Sequence, residues 1–126
     1  MTADDGNASV EFVTVAVVLM VPLVYVLLTV FAVQRAAFAV SSAAREAGRA
    51  YVTAATHDAA TTRAQEAADL ALADQLPGAP RAALHTDGAL EPGGAVTVTV
   101  TYDVSVLGVG TIPVTATHVA TVDRYR

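Results

Sequence analysis

The chain has 126 residues, with seven Arg, no Lys and twelve Asp or Glu for a formal charge of −5, which excludes the basic patch that nucleic acid requires. It is long enough for one small domain and too short for a large enzyme, and without cysteine it has neither a disulfide framework nor a thiolate metal site.

The first eleven residues are polar, and their side-chain charges are Asp4, Asp5 and Glu11. Residues 12–33 carry no charge, and fifteen of these 22 are Val, Leu or Phe. As a helix they rise roughly 33 Å, enough to cross a hydrocarbon core of about 30 Å. Each Val, Leu or Phe favours insertion by about 0.3 to 0.6 kcal/mol at the centre of a span. Pro22 removes one backbone donor, which a membrane helix tolerates. The segment therefore reads as a membrane helix.

The helical pattern continues past Gln34 to about Ala55, rich in Ala and free of proline. Ala37, Val40, Ala44, Ala47 and Tyr51 recur at steps of three and four and form one stripe, open either to the chain's own head or to a helix of another subunit. Ser41, Arg45, Glu46 and Arg49 turn elsewhere. Asp58 is the expected N-cap of a second amphipathic helix over 59–76, ended by Pro77-Gly78. Its buried face is Ala60, Ala64, Ala68, Leu72 and Leu76. Arg63, Glu66, Asp69 and Asp74 face solvent, with Arg63 and Glu66 spaced to pair.

The period then changes to two. A short strand is expected over 82–86, followed by a turn-rich connection through Asp87-Gly88 and Glu91-Pro92-Gly93-Gly94. Over 95–106 valines and Tyr102 alternate with threonines, Asp103 and Ser105, which implies one wet face. Gly108 and Gly110 mark a turn, and a further strand over 112–123 puts Ile112, Val114, Ala116, His118, Ala120 and Val122 on one side. The two long strands should pair antiparallel and lay their apolar face on the helices. The fold class is thus α+β, with a long N-terminal membrane helix continuing into a stalk, a second amphipathic helix and a small antiparallel sheet as the head.

No catalytic constellation is legible. His57, His85 and His118 lack metal-ligand spacing and read as surface or turn residues, and no metal or cofactor is expected. Ser9, Ser41, Ser42 and Ser105 have no nucleophile-elbow setting, and the carboxylates are scattered. The chain reads as a non-enzyme with no small-molecule substrate. Asn7-Ala8-Ser9 matches a glycosylation acceptor triplet, a pattern that arises often by chance.

The informative group is Gly6-Asn7-Ala8-Ser9-Val10-Glu11-Phe12, leading straight into the apolar helix. A glycine, four residues, a glutamate and then a long apolar helix resembles the class III signal of type IV pilins. Val10-Glu11-Phe12 resembles the TadE-like branch of the tight-adherence (Tad/Flp) pilus systems. Past the membrane, Ala43-Ala44-Arg45-Glu46-Ala47-Gly48-Arg49-Ala50 is similar to the Ala-Arg-Glu-x-x-Arg-Ala segment of that family. The resemblance covers residues 6–52, and the strands share only its general character. It implies a minor pilin or pseudopilin whose partners are the membrane, a prepilin peptidase and other pilin or Tad subunits. Processing would fall between Gly6 and Asn7, and Glu11 and Phe12 would serve assembly, with Glu11 fifth in the mature chain. The implied domains are a leader over 1–6, a transmembrane helix with a short polar start over 7–34, its extramembrane continuation over 35–55 and an extracytoplasmic head over 56–126.

Two alternatives differ in class. Ala37-Phe38-Ala39 is a small-x-small pattern, and cutting after Ala39 would release a secreted binding module beginning at Val40. An unprocessed chain would instead be a single-pass scaffold of a membrane complex. Orientation pulls two ways: Arg35, Arg45 and Arg49 on the C-terminal side would hold the head in the cytoplasm, whereas the resemblance implies a head outside it and a place in a surface pilus.

Overall fold

A computed structural model describes the backbone of residues 4–124 and the side chains of residues 8–124. The elements are α1 (Asp4–Val52), α2 (His57–Gln75), β1 (Ala83–Asp87), β2 (Ala95–Val106) and β3 (Gly110–Thr121). This is the α+β arrangement of a long N-terminal apolar helix, a second helix and a small three-stranded antiparallel sheet. The chain divides into two compact units, Met1–Ala32 and Val33–Arg126.

In the first unit, α1 is helical through Pro22. Proline cannot donate to the carbonyl four residues back, and two threonines occupy polar capacity on either side of it: Thr14 Oγ1 donates to Val10 O at 2.8 Å and Thr29 Oγ1 to Tyr25 O at 2.9 Å. Such back-bonds leave no hydroxyl hydrogen facing an apolar surrounding.

In the second unit the helices and the sheet share a main core, beside a smaller cluster of Ala36, Val104 and Val106. Members of the main core include Ala39, Val40, Ala43, Ala44, Ala47 and Tyr51 of α1, Ala60, Ala64, Ala68 and Leu72 of α2, and Val96, Val98 and Val100 of β2. The buried face of α1 is wider than the stripe expected from sequence, because Ala36, Ala39 and Ala43 also vanish from solvent while Ala37 is only half-buried. Alanine and glycine let the backbone approach the sheet, and at Gly48 a Cβ would lie 3.0 Å from His118 Cδ2 and 3.3 Å from the Ala120 Cβ. Of the two partners the stripe left open, the chain's own head takes it.

The helix ends differ from expectation by a few residues. α1 stops at Val52, where Ala54 N–H turns back to Tyr51 O at 3.2 Å. The N-cap of α2 is Thr56 rather than Asp58: Thr56 is extended and its hydroxyl accepts from Ala59 N–H at 3.3 Å. Both residue types cap well, and Asp58 instead sits in the first turn, where its charge suits the helix dipole. The helix terminates at the Leu76-Pro77-Gly78 step, with Leu76 N–H bonded to Leu72 O at 2.8 Å. Leu76, expected in the buried face, is half-buried.

The sheet order is β1-β2-β3, antiparallel throughout. β2 occupies the range expected, with Val96, Val98, Val100, Val104 and Val106 buried. β1 is displaced by one residue, because Ala82 N–H is taken by Asp69 and does not enter the ladder. β3 begins earlier, at Gly110, which pairs with Val106 across a tight turn. Gly108 (φ 80°) and Gly110 (φ 111°) supply the left-handed backbone this turn needs. At the other end Val122 N–H bonds Gly94 O while Gly93 N–H bonds Val122 O, so two residues face one and the ladder closes at Thr121. Pro113 is confined to β3, an edge strand, as a residue lacking an N–H must be.

Candidate assembly surface

The apolar run is long, bare and near the N-terminus. Its most apolar window has a mean hydropathy of 2.7 and none of it is buried by the rest of the protein. Side chains from Val10 to Phe31 are almost all exposed, and Phe12 is 74% exposed. The chain thus has one N-terminal helix apolar and long enough to span a membrane.

Glu11 lies one residue before Phe12 on this helix, and both side chains are exposed. They sit together at the start of the apolar run, in helical backbone that begins at Asp4. The side chains of Gly6 and Asn7, the expected processing pair, lie outside the described residues.

The histidines have three separate settings. His57 opens α2, and its Nδ1 lies 2.9 Å from the hydroxyl of buried Tyr51, with the two rings edge to face, so it ties the end of α1 to the start of α2. His85 is exposed on β1. His118 is not a surface residue: it is half-buried on the inner face of β3 beside Gly48. Among the described residues, no three His, Asp or Glu side chains converge as metal ligands would.

Asp69, expected to face solvent, is half-buried and clamps the link between α2 and β1. Its Oδ1 accepts from Ala82 N–H at 2.8 Å and from Gln65 Nε2 at 3.0 Å, while Gln65 also donates to Ala82 O at 3.0 Å. Arg81 Nε lies 3.2 Å from Asp69 Oδ2. Among the described residues the ion pair of this helix is Asp69 with Arg81, rather than Arg63 with Glu66.

The outer face of the sheet is a hydroxyl array. Thr99 meets Thr117 at 3.2 Å and Thr101 meets Thr115 at 3.0 Å across the β2–β3 pairing. Opposite the sheet, Ser42 and Glu46 of α1 and Ala67, Leu70, Ala71 and Asp74 of α2 line an open groove. Leu70 is 73% exposed there, and Phe38, one turn before Ser42 on α1, is 72% exposed. Sequence reading missed this groove because two helices build it together. The signal was present in Leu70, a large apolar residue that stands off the buried stripe of its Ala-rich helix.

Comparison with protein-family models, with curated proteins and with solved structures finds no match for the chain.

Proposed function

We propose that the protein is a TadE-like minor pilin or pseudopilin, a non-enzymatic structural subunit for assembly of Tad/Flp-type pili that serve adhesion or secretion. The observation that carries this reading is the bare apolar helix of α1, with Glu11 and Phe12 at its start and a small α+β unit at the C-terminal side of the chain. An apolar surface of that length requires lipid or other apolar helices around it. In this reading a prepilin peptidase cuts between Gly6 and Asn7, the apolar helix holds the subunit in the membrane and the head faces away from the cytoplasm. The subunit then joins its pilin and Tad partners through helix packing, with Glu11 paired to an amine of its own or a neighbouring chain, since an unpaired carboxylate at the mouth of a span is costly.

The secreted-module alternative loses support from the fold. A cut after Ala39 would divide α1 inside the stretch that carries the core, where Ala39 and Val40 are both fully buried.

Intact mass of the protein from native membranes is the test. Cleavage between Gly6 and Asn7 removes Asp4 and Asp5, so the formal charge moves from −5 to −3. A Gly6→Leu variant should keep the full mass. A wild-type protein of full mass, lighter than the variant only by the Gly-to-Leu exchange, would remove the processing step and favour the unprocessed scaffold.

A further inference from the structure

We infer that the groove between α1 and α2 receives the outward face of α1 from a second copy of this chain, the two α1 segments running parallel. The inference deepens the subunit reading and rests on it.

The C-terminal unit carries both the groove and the face that fills it. Arg35 Nε donates to Gln75 O at 2.9 Å and the Tyr51 hydroxyl meets His57 at 2.9 Å, so α2 runs antiparallel along α1 from one contact to the other. Leu70 is then level with about residue 39 of α1, and Glu46 stands seven residues further along, a rise of roughly 10 Å. On the outward face of α1, Phe38 and Arg45 are separated by the same seven residues, two helical turns, and both are exposed. A parallel copy shifted by about one residue brings its Phe38 onto Leu70 and its Arg45 onto Glu46 at once.

Apolar and charged matches thus coincide in a single register. Small side chains at Ser42, Ala67 and Ala71 floor the groove and admit a helix closely. Neither Arg45 nor Glu46 has an ion-pair partner among the described residues, although Glu46 is spaced to reach Arg49 along its own helix. The contact joins two different surfaces, so each copy retains a free groove and a free face, and repetition builds a ring or an open array rather than a closed dimer.

The absence of native cysteine makes the test clean. Two differently tagged full-length forms, Phe38→Cys and Leu70→Cys, are expressed together in one membrane and bridged with a short bis-maleimide. A product carrying both tags should exceed the product of either variant alone by at least severalfold. Arg45→Glu placed in the Phe38→Cys chain should reduce that product severalfold, and Glu46→Arg in the Leu70→Cys chain should restore it; both residues are exposed, so neither change disturbs the core. Absence of the mixed product, or a Phe38-to-Phe38 product of equal yield, overturns the groove. Subunits that are cleaved and co-purify with pilus components yet give no mixed product would overturn the groove alone. A mixed product from chains that are never cleaved would overturn the pilin reading and leave the groove standing.

Discussion

Glu11 separates an assembly subunit from a passive anchor. Glu11→Ala deletes a group unfavourable in lipid, so membrane levels should equal or exceed those of wild type while incorporation into filaments falls. Quantifying both in the same cells checks this, and wild-type incorporation would make Glu11 a solvated interfacial residue. At Gly48 two effects oppose each other. Alanine within a helix is favoured over glycine by about 1 kcal/mol. Here its Cβ would press on His118 and Ala120, and overpacking typically costs about 1 to 3 kcal/mol. The Ala120 Cβ is fixed to the backbone of a paired strand and cannot retreat, so the contact wins. Gly48→Ala should lower the melting temperature in detergent, and Gly48→Val should lower it further. A rise for Gly48→Ala would show that helix and sheet separate at little cost.

Among the elements, the Asp69 clamp holds β1 to α2 through a backbone donor more than through its ion pair. Arg81 is 75% exposed on its side chain, and pairs of that kind contribute about 0.2 to 1 kcal/mol. Ala82 is buried and its N–H depends on Asp69, so removing the acceptor costs about 1 to 3 kcal/mol. Asp69→Ala should therefore destabilise more than Arg81→Ala in urea unfolding, and equal effects would assign the clamp to the ion pair. This contact was illegible in the sequence because its two ends lie thirteen residues apart and one of them is a main-chain N–H. Local patterns served better. The Val/Thr alternation of β2 set both its length and its wet face, since a period of two leaves no other arrangement with one side buried. The Thr56 cap escaped because Thr56 and Asp58 satisfy the same rule, and the backbone decides between them by where the chain leaves Val52 and Tyr51 meets His57. Gly110 was read only as a turn residue, yet the turn is tight enough that it already pairs with Val106.

For the molecule as a whole the open choice is the side of the membrane on which the residues after Gln34 lie. Three arginines, Arg35, Arg45 and Arg49, follow the apolar run closely, and no Lys or Arg stands among the residues before it, so a charge count alone directs the C-terminal unit to the cytoplasm. That count weights every arginine equally, whereas Arg35 is engaged within the C-terminal unit through the Gln75 carbonyl and Arg45 is the residue assigned to a neighbouring copy. The subunit reading requires the opposite side, because a pilin head that stays in the cytoplasm cannot join a surface filament. A reporter active only in the cytoplasm, fused after Arg126, should therefore be silent, and one active only outside should work. Asp4→Lys with Asp5→Lys adds positive charge before the span and should leave this outcome unchanged or strengthen it. Strong cytoplasmic activity from the wild-type fusion would overturn the pilin reading and show that the arginines decide the orientation.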